Sequence, residues 1–181
     1  MPRFIPYILL CSALFLSGCQ TWRILDIEKL PPPAALPESS IPGEVQVFYW
    51  DNIPGNELET LISNDAFPEN PDSIELLNEL RRAPERGSNY GSLVRGYILP
   101  PATGAYTFFV SGDNETEFWL GSSADTSSKQ LVAEVPGYTA ALVYTKYASQ
   151  ASAEIELAAG KRYYFEILHK EGYGGDHFSV A

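Results

Sequence analysis

Short apolar runs separated by turn residues follow one another from residue 44 to the C-terminus, and they constrain the fold more than any other feature. The runs are rich in Val, Ile, Tyr, Phe and Trp, and Gly, Pro, Asn and Asp lie between them, as expected for short strands. They span residues 45–50, 92–99, 105–112, 116–120, 130–135, 153–157 and 162–170, and a last run begins at His177. The pattern predicts an all-β fold, an antiparallel β-sandwich with at most one short helix.

A hairpin is predicted between the runs at residues 92–99 and 105–112, because two prolines and a glycine lie between them. In the second run, alternate positions are apolar, which indicates one buried face. These positions are Tyr106, Phe108 and Val110.

Residues 73–81 differ from the other segments, because Ile74, Leu77 and Leu80 recur at helical spacing. Asp72 and Glu75 resemble the capping box of a helix N-terminus. The segment predicts a short helix, and an irregular loop between two flanking prolines is the alternative.

The N-terminus predicts export. Arg3 precedes an apolar stretch at residues 4–16 that is too short to span a membrane, so residues 1–18 are predicted to be a signal peptide. The ending, Leu-Ser-Gly before Cys19, resembles a bacterial lipobox and implies lipidation of Cys19 and acylation of its new amine. An ordinary signal peptide with a chance cysteine is the alternative. Gln20 after the cysteine suggests sorting to the outer membrane of a Gram-negative cell.

Residues 19–43 are predicted to be a tether between this anchor and a domain at residues 44–181. Its second half is rich in proline and favours a semi-rigid spacer. The only other cysteine, Cys11, would be lost with the signal peptide, so the mature domain has no disulfide.

The chain has 181 residues and a formal net charge of −11. Without clustered Lys or Arg, this charge argues against nucleic acid as a partner. The acidity is compatible with divalent cations. A cluster of four polar or acidic residues lies between two apolar runs, at Asp113, Asn114, Glu115 and Glu117. Like charges repel, so this cluster is either solvated or neutralised by a group that the chain itself lacks.

Four stretches of the chain together resemble the PA14 domain, named for the protective antigen of anthrax toxin. They are residues 89–121, 135–139, 157–172 and 174–181. The order and spacing of these stretches carry the resemblance, which extends over residues 45–181. It implies a β-sandwich of two antiparallel sheets, found in adhesins, in toxins and as an accessory module of glycosidases, with glycan binding as the commonest role.

The resemblance also implies a calcium site. In glycan-binding PA14 domains, two consecutive Asp residues and a later loop coordinate Ca²⁺, which binds sugar hydroxyls directly. The matching positions here are Asp113 and Asn114, with Glu171 and Asp176 in the later loop. Asn114 departs from the pattern by removing one negative charge. Ca²⁺ takes six to eight oxygens, a number that carboxylates, amides, backbone and water can together supply.

Further ligand contacts are predicted at loop residues near these positions. Tyr138 and Tyr173 are loop aromatics of the kind that stack on sugar rings, and loop packing is the alternative. His177, which follows Asp176, is a third candidate. His169 continues an inward-facing series and is predicted to be a hydrogen-bonded core residue. Glu115 and Glu117 lie on one face, but a solvated outer face explains them better than glycosidase chemistry.

These features predict a surface-anchored, non-catalytic carbohydrate-recognition module with no catalytic residues. A structural or protein-interaction lipoprotein of the envelope, with the same fold and no metal, is the second hypothesis. The third is an accessory module of a glycan-active enzyme whose catalytic domain lies beyond Ala181.

Overall fold

The structure, a computed structural model, describes residues 43–84 and 86–181 and forms two facing layers of antiparallel β-sheet. The predicted signal peptide, Cys19 and almost all of the tether lie outside the described residues. No helix in the described part is long and apolar enough to cross a membrane. The predicted fold class, an antiparallel β-sandwich with one short helix, is confirmed.

The larger layer is a six-stranded sheet in the order β2-β1-β4-β10-β7-β8. Its strands are β1 (Val45–Trp50), β2 (Ser73–Leu77), β4 (Tyr90–Ile98), β7 (Thr116–Gly121), β8 (Lys129–Val135) and β10 (Tyr163–Glu171). The second layer contains a three-stranded sheet, β3-β11-β6, and a two-stranded one, β5-β9. These strands are β3 (Arg81–Arg82), β5 (Gly104–Tyr106), β6 (Val110–Asp113), β9 (Ile155–Leu157) and β11 (His177–Val180).

The main hydrophobic core fills the space between the layers. Alternate residues of each strand point inward, so that the large sheet meets the small one through interleaved apolar side chains. Val94, Phe118 and Ile167 of the large sheet and Val110 and Phe178 of the small one are each no more than 1% exposed. This core takes the place of the missing disulfide in holding the domain together.

The opposite face of the large sheet carries a second apolar cluster, covered by the single helix of the described residues, α1 (Leu58–Ile62). Leu58 and Leu61 of the helix pack there with Trp119 and Leu168 of the sheet. The helix begins where Oε2 of Glu115 accepts a hydrogen bond from the Leu58 N–H over 2.7 Å. The sheet is therefore buried on both faces over its central strands.

Two local predictions are wrong. Residues 73–81 contain strand β2 and the first residue of β3 and no helix, because β2 pairs along β1, and its residues alternate between half-buried and exposed with period two. The hairpin between residues 92–99 and 105–112 does not form. The turn after β4 carries the chain into the other layer, where β5 pairs with β9 and β6 with β11.

Candidate functional site

The predicted site residues converge at one end of the sandwich, where β6 and β10 end and β11 begins. Asp113 is the last residue of β6 and pairs with His177, the first residue of β11. An isolated bridge joins Asp113 to Tyr138. Glu171 ends the central strand β10. Segments far apart in sequence thus place the polar residues of both predicted loops beside the exposed Tyr138.

Asp113 and Asn114 form the corner between β6 and β7, and the peptide bond between them is cis. The backbone N–H of Asn114 donates to the carbonyl of Lys170 over 2.8 Å. Its side chain donates through Nδ2 to Oδ1 of Asp113 over 2.9 Å and accepts the N–H of Gly172 at Oδ1 over 2.9 Å. Asn114 therefore orients the Asp113 carboxylate and ties it to the later loop.

Glu171 is the most unusual residue of the site. Its side chain is fully buried, and neither carboxylate oxygen has a hydrogen-bond partner among the described residues. It lies opposite Tyr90 across β10 and β4. Burial, followed by the charges of Asp113 and Asp176, raises the pKa of Glu171 to about 8. A buried carboxylate without a partner is costly, so this position favours a bound cation or a proton.

Asp176 and Gly175 bring the later loop against Asp113. Oδ2 of Asp176 accepts the N–H of Gly87 over 2.7 Å, and the residue is 3% exposed. A Cβ atom at Gly175 would lie 2.9 Å from Oδ2 of Asp113, so a glycine permits this approach. Burial raises the pKa of Asp113, Lys146 opposes this, and Asp176 adds to it. The two aspartates therefore share one electrostatic environment.

The loop after β10 is held in place by two other segments. The fully buried Nζ of Lys170 donates to the carbonyl oxygens of Ile53, Gly55 and Glu171 over 2.7, 2.6 and 2.7 Å. The carbonyl of Gly172 accepts the N–H of Asn89 over 2.8 Å. The loop is therefore fixed by backbone contacts, although it is rich in glycine.

Exposed aromatic side chains flank the carboxylates. Tyr138 is 57% exposed, and Tyr173, in the glycine-rich loop, is 87% exposed. Nζ of Lys146 lies 3.3 Å from the centroid of the Tyr138 ring and donates to the Tyr138 carbonyl over 2.6 Å. Both tyrosines therefore present exposed aromatic rings at this end of the molecule.

The two histidines are core residues. His169 is fully buried, and its Nε2 lies 2.7 Å from the carbonyl oxygen of Asp113, so the predicted hydrogen-bonded core histidine is confirmed. Burial lowers its pKa to about 4. His177, predicted to contact ligand, is 5% exposed and its buried Nε2 has no hydrogen-bond partner in the described chain. It pairs with Asp113 across β6 and β11, and its side chain lies beneath the surface.

Glu115 and Glu117 do not form the solvated outer face that the sequence favoured. Glu115 caps helix α1, and Oε2 of Glu117 accepts the indole N–H of Trp119 over 2.8 Å. Glu117 also faces Glu134 directly across β7 and β8. Burial raises the pKa of Glu117 to about 7, the Trp119 hydrogen bond opposes this, and the charge of Glu134 adds to it.

The donor chemistry suits a hard divalent cation only in part. Within residues 43–84 and 86–181, no three His, Cys, Asp or Glu side chains lie close enough to hold a metal ion by themselves. The unpartnered oxygens of Glu171 and the neighbouring Asp113 are nevertheless the ligands that Ca²⁺ prefers. Amide, backbone, water or ligand oxygens must therefore complete such a site, as the Asn114 substitution already implies.

Comparison with known proteins identifies the family, since the GLEYA domain matches residues 90–181. This chain belongs to the GLEYA domain family. The GLEYA domain has a PA14-like fold, so the PA14 resemblance is correct for the fold, and GLEYA is the family shown. The match includes every predicted metal and ligand residue, because it begins at the first residue of β4.

One relative of this GLEYA domain is a glycosyltransferase of the mouse. The mouse N-acetyl-beta-glucosaminyl-glycoprotein 4-beta-N-acetylgalactosaminyltransferase 1 is 34% identical over 162 residues, which cover 83% of this chain and 16% of the mouse protein. The chain thus spans about one sixth of that relative.

Two solved structures share the fold. The Epithelial Adhesin 9 A domain from Candida glabrata, in complex with Galβ1-4GlcNAc, has a TM-score of 0.53 and 16% identity, covering 78% of this chain and 84% of that one. A β-glucosidase from Kluyveromyces marxianus has a TM-score of 0.52 and 12% identity, covering 76% of this chain and 16% of the enzyme.

Sequence reasoning missed two lysines of the site. Lys146 lies in a loop without a motif, and no sequence signal marks its contact with Tyr138. Lys170 occupies an outward position of β10, where a solvated side chain is the usual expectation. Only the covering segment at residues 53–56 buries it.

Proposed function

We propose that this GLEYA domain binds carbohydrate at the end of the sandwich formed by Asp113, Glu171 and Asp176. The observation that carries the proposal is the fully buried, unpartnered carboxylate of Glu171 beside Asp113, with the exposed Tyr138 and Tyr173 at the rim. A sugar offers hydroxyl groups to a polar centre and an apolar ring face to a tyrosine. The glycan in the adhesin complex supports the same ligand class here.

Calcium is proposed as the cation that links these carboxylates to the sugar. Asp113 and Glu171 would hold it, with Asn114 contributing its second Oδ1 lone pair, and the charge of Asp176 would add to the attraction of the cation. When bound, the ion neutralises the carboxylates and accepts ligand hydroxyls in place of water. The chain's own contribution is to fix Asp113 through Asn114 and to hold the later loop through Lys170.

The proposed role is non-catalytic. Glu115 and Glu117, the pair that resembles a glycosidase arrangement, are engaged by α1 and by Trp119. A shallow cleft of about 350 Å³ lies at the other end of the sandwich, near Gly121 and Val132, so it is not part of the site. The polar end is a surface formed by loops, which suits recognition more than chemistry.

A glycan array tests the proposal with the domain in 1 mM Ca²⁺ and in EDTA. We expect calcium-dependent binding with dissociation constants between about 10 µM and about 1 mM, because a sugar offers few apolar atoms. Asp113→Ala should abolish binding, and Tyr138→Ala should weaken it. Glu156→Gln, an exposed change on β9 far from the site, is the matched control. An array without any bound glycan in calcium would refute the proposal.

A second candidate is an accessory module that targets a glycan-active enzyme to its substrate. The mouse glycosyltransferase and the yeast β-glucosidase favour it, since in each the region similar to this chain is 16% of the protein. Binding would then use the same end of the sandwich. The two roles differ in what the domain is attached to, so mass determination of the native protein separates them.

The location proposed for the domain is a bacterial membrane surface. Lipidation of Cys19 would anchor it, because several acyl chains at about 0.8 kcal/mol per buried methylene retain a soluble domain firmly. The proline-rich tether would hold the glycan-binding end away from the membrane. This arrangement suits an adhesin-like module of the outer membrane.

A further inference from the structure

Lys146 differs from four other cationic side chains that lie near carboxylates in the described chain. Arg81, Arg82, Arg86 and Lys129 each form an ion pair with a carboxylate. Lys146 forms none within residues 43–84 and 86–181, although its charge acts on Asp113. Its ammonium group is therefore near the proposed binding centre without being neutralised by a direct partner.

The position of this ammonium group is fixed. Nζ lies 3.3 Å from the centroid of Tyr138 and 5.0 Å from that of Tyr147, and it donates one hydrogen bond to the Tyr138 carbonyl. A lysine has three N–H donors, of which one donates to this carbonyl and one faces the ring, so one remains for another acceptor. Because the residue is exposed, a ligand beside Tyr138 can reach this donor.

When a cation occupies the proposed site, the ammonium group of Lys146 is favourable only if the ligand carries a negative charge. A cation held by Asp113 repels a nearby ammonium group, so Lys146 weakens the proposed calcium site. An anionic group on the ligand reverses this effect, since it is attracted by both cations. The chain has a net charge of −11 and therefore repels anions in general. The fixed ammonium group of Lys146 opposes this repulsion locally.

We propose that Lys146 makes this domain selective for glycans that carry an anionic group, a carboxylate or a sulfate, next to the sugar that occupies the site. The inference rests on the proposed carbohydrate binding and adds the substrate class. In it, the sugar lies beside Tyr138, on the part of the ring that Lys146 leaves exposed, and the anionic group accepts the remaining N–H donor of Lys146. A charge-assisted hydrogen bond of this kind favours the charged glycan over its neutral parent.

Binding of matched oligosaccharides tests the inference. A neutral galactoside, its sulfated form and its sialylated form are titrated in 1 mM Ca²⁺ against the wild type, Lys146→Gln, Lys146→Arg and the control Lys161→Gln. Lys161 is exposed at the opposite end of β10. We expect the wild type to bind one of the anionic forms about tenfold more tightly than the neutral one, which corresponds to about 1.4 kcal/mol.

Lys146→Gln should remove that preference, so that the ratio of the affinities for the anionic and neutral forms falls to about one, whereas Lys146→Arg and Lys161→Gln should retain it. The preference should fall as salt is added. Whether the sulfated or the sialylated form is preferred identifies the anionic group. Lys146→Gln should also bind Ca²⁺ alone somewhat more tightly, because a repulsive charge is gone.

Two results would overturn the inference while leaving carbohydrate binding intact. One is equal affinity of the wild type for the neutral and both anionic forms. The other is an equal loss of all three in Lys146→Gln, which would make Lys146 only a support for Tyr138. A wild type that binds none of the three in calcium would reject the proposed function and the inference with it.

Discussion

The Oδ1 atom of Asn114 accepts the backbone N–H of Gly172 over 2.9 Å and so joins two loops that are 58 residues apart. The same side chain orients the carboxylate of Asp113. The position of the loop after β10 therefore controls the geometry of the residue on which the proposed site depends. Small displacements of this loop should therefore change the orientation of the Asp113 carboxylate, even where the displaced residues contact no ligand.

Gly172→Ala tests this relationship. A Cβ atom there would lie 1.7 Å from Oδ1 of Asn56 and 2.9 Å from the carbonyl oxygen of Gly55, so the loop must shift. We expect a loss of about 1–3 kcal/mol in the free energy of unfolding, the usual cost of overpacking, together with weaker glycan binding. Denaturant unfolding and the glycan titration measure the two effects. Gly104→Ala, which meets no atom within 4 Å, is the control. Equal behaviour of the two variants would contradict the argument.

Calcium should stabilise the domain through Glu171. If the dissociation constant is about 10 µM, 1 mM Ca²⁺ adds about 2.7 kcal/mol to the free energy of unfolding. Mg²⁺ should do much less, because it demands a tight octahedral site. Glu171→Gln should abolish the calcium response and raise the stability in EDTA at neutral pH, since Glu171, with a pKa of about 8, must take up a proton on folding and Gln need not. The melting temperatures of the wild type and Glu171→Gln in EDTA, Ca²⁺ and Mg²⁺ measure these effects. A wild type that melts at the same temperature in all three has no such site.

Glu117 should make stability depend on pH. Its folded pKa of about 7 exceeds the ordinary value of 4.5, so the folded state holds a proton that the unfolded state releases. Stability is therefore full at pH 4.5 and falls as the pH rises through 7. Glu117→Gln mimics the protonated form and should be more stable than the wild type at pH 8 by roughly 1–3 kcal/mol. Chemical unfolding at pH 5 and 8 measures this. If the free energies of unfolding of the two proteins differ by the same amount at pH 5 and pH 8, Glu117 does not contribute to the pH dependence of stability.

Cys19 should determine whether the protein associates with the membrane. Cys19→Ser lacks the thiol that accepts lipid, so the variant should leave the membrane fraction or remain unprocessed when the full chain is expressed in a Gram-negative bacterium. Cys11→Ser, within the predicted signal peptide, should be processed as the parent is. Fractionation and mass determination provide the readout. A Cys19→Ser protein that is processed and stays with membranes would exclude lipid anchoring at this residue.

The strands that the sequence predicted well share one property, which is that a local pattern suffices to define them. β1, β7, β8 and β10 alternate or are continuously apolar and end at clear turns. The prediction for residues 73–77 is wrong because their apolar spacing fits a helix as well as a strand. Pairing with the edge of β1 stabilises the strand, and this pairing cannot be inferred from the segment's own sequence.

The site shows the same division. Asp113, Glu171 and Asp176 could be predicted because the resemblance to the PA14 domain points to their positions, and the structure places them at one end. The burial of Glu117 and Lys170 could not, since it depends on tertiary contacts, such as those of Lys170 with Ile53 and Gly55, which are distant in sequence. Burial of a charged strand residue is a property of what packs over the strand.

The backbone contacts that hold the loop after β10 limit how this site can be moved to another protein. Its polar residues come from two short peptides, which invites transplantation of those peptides alone. However, the carbonyls that receive Lys170 and the N–H groups that meet Gly172 and Asp176 belong to residues 53–55 and 87–89. A recipient scaffold would have to supply both of these segments. The transferable unit is therefore nearly the whole domain.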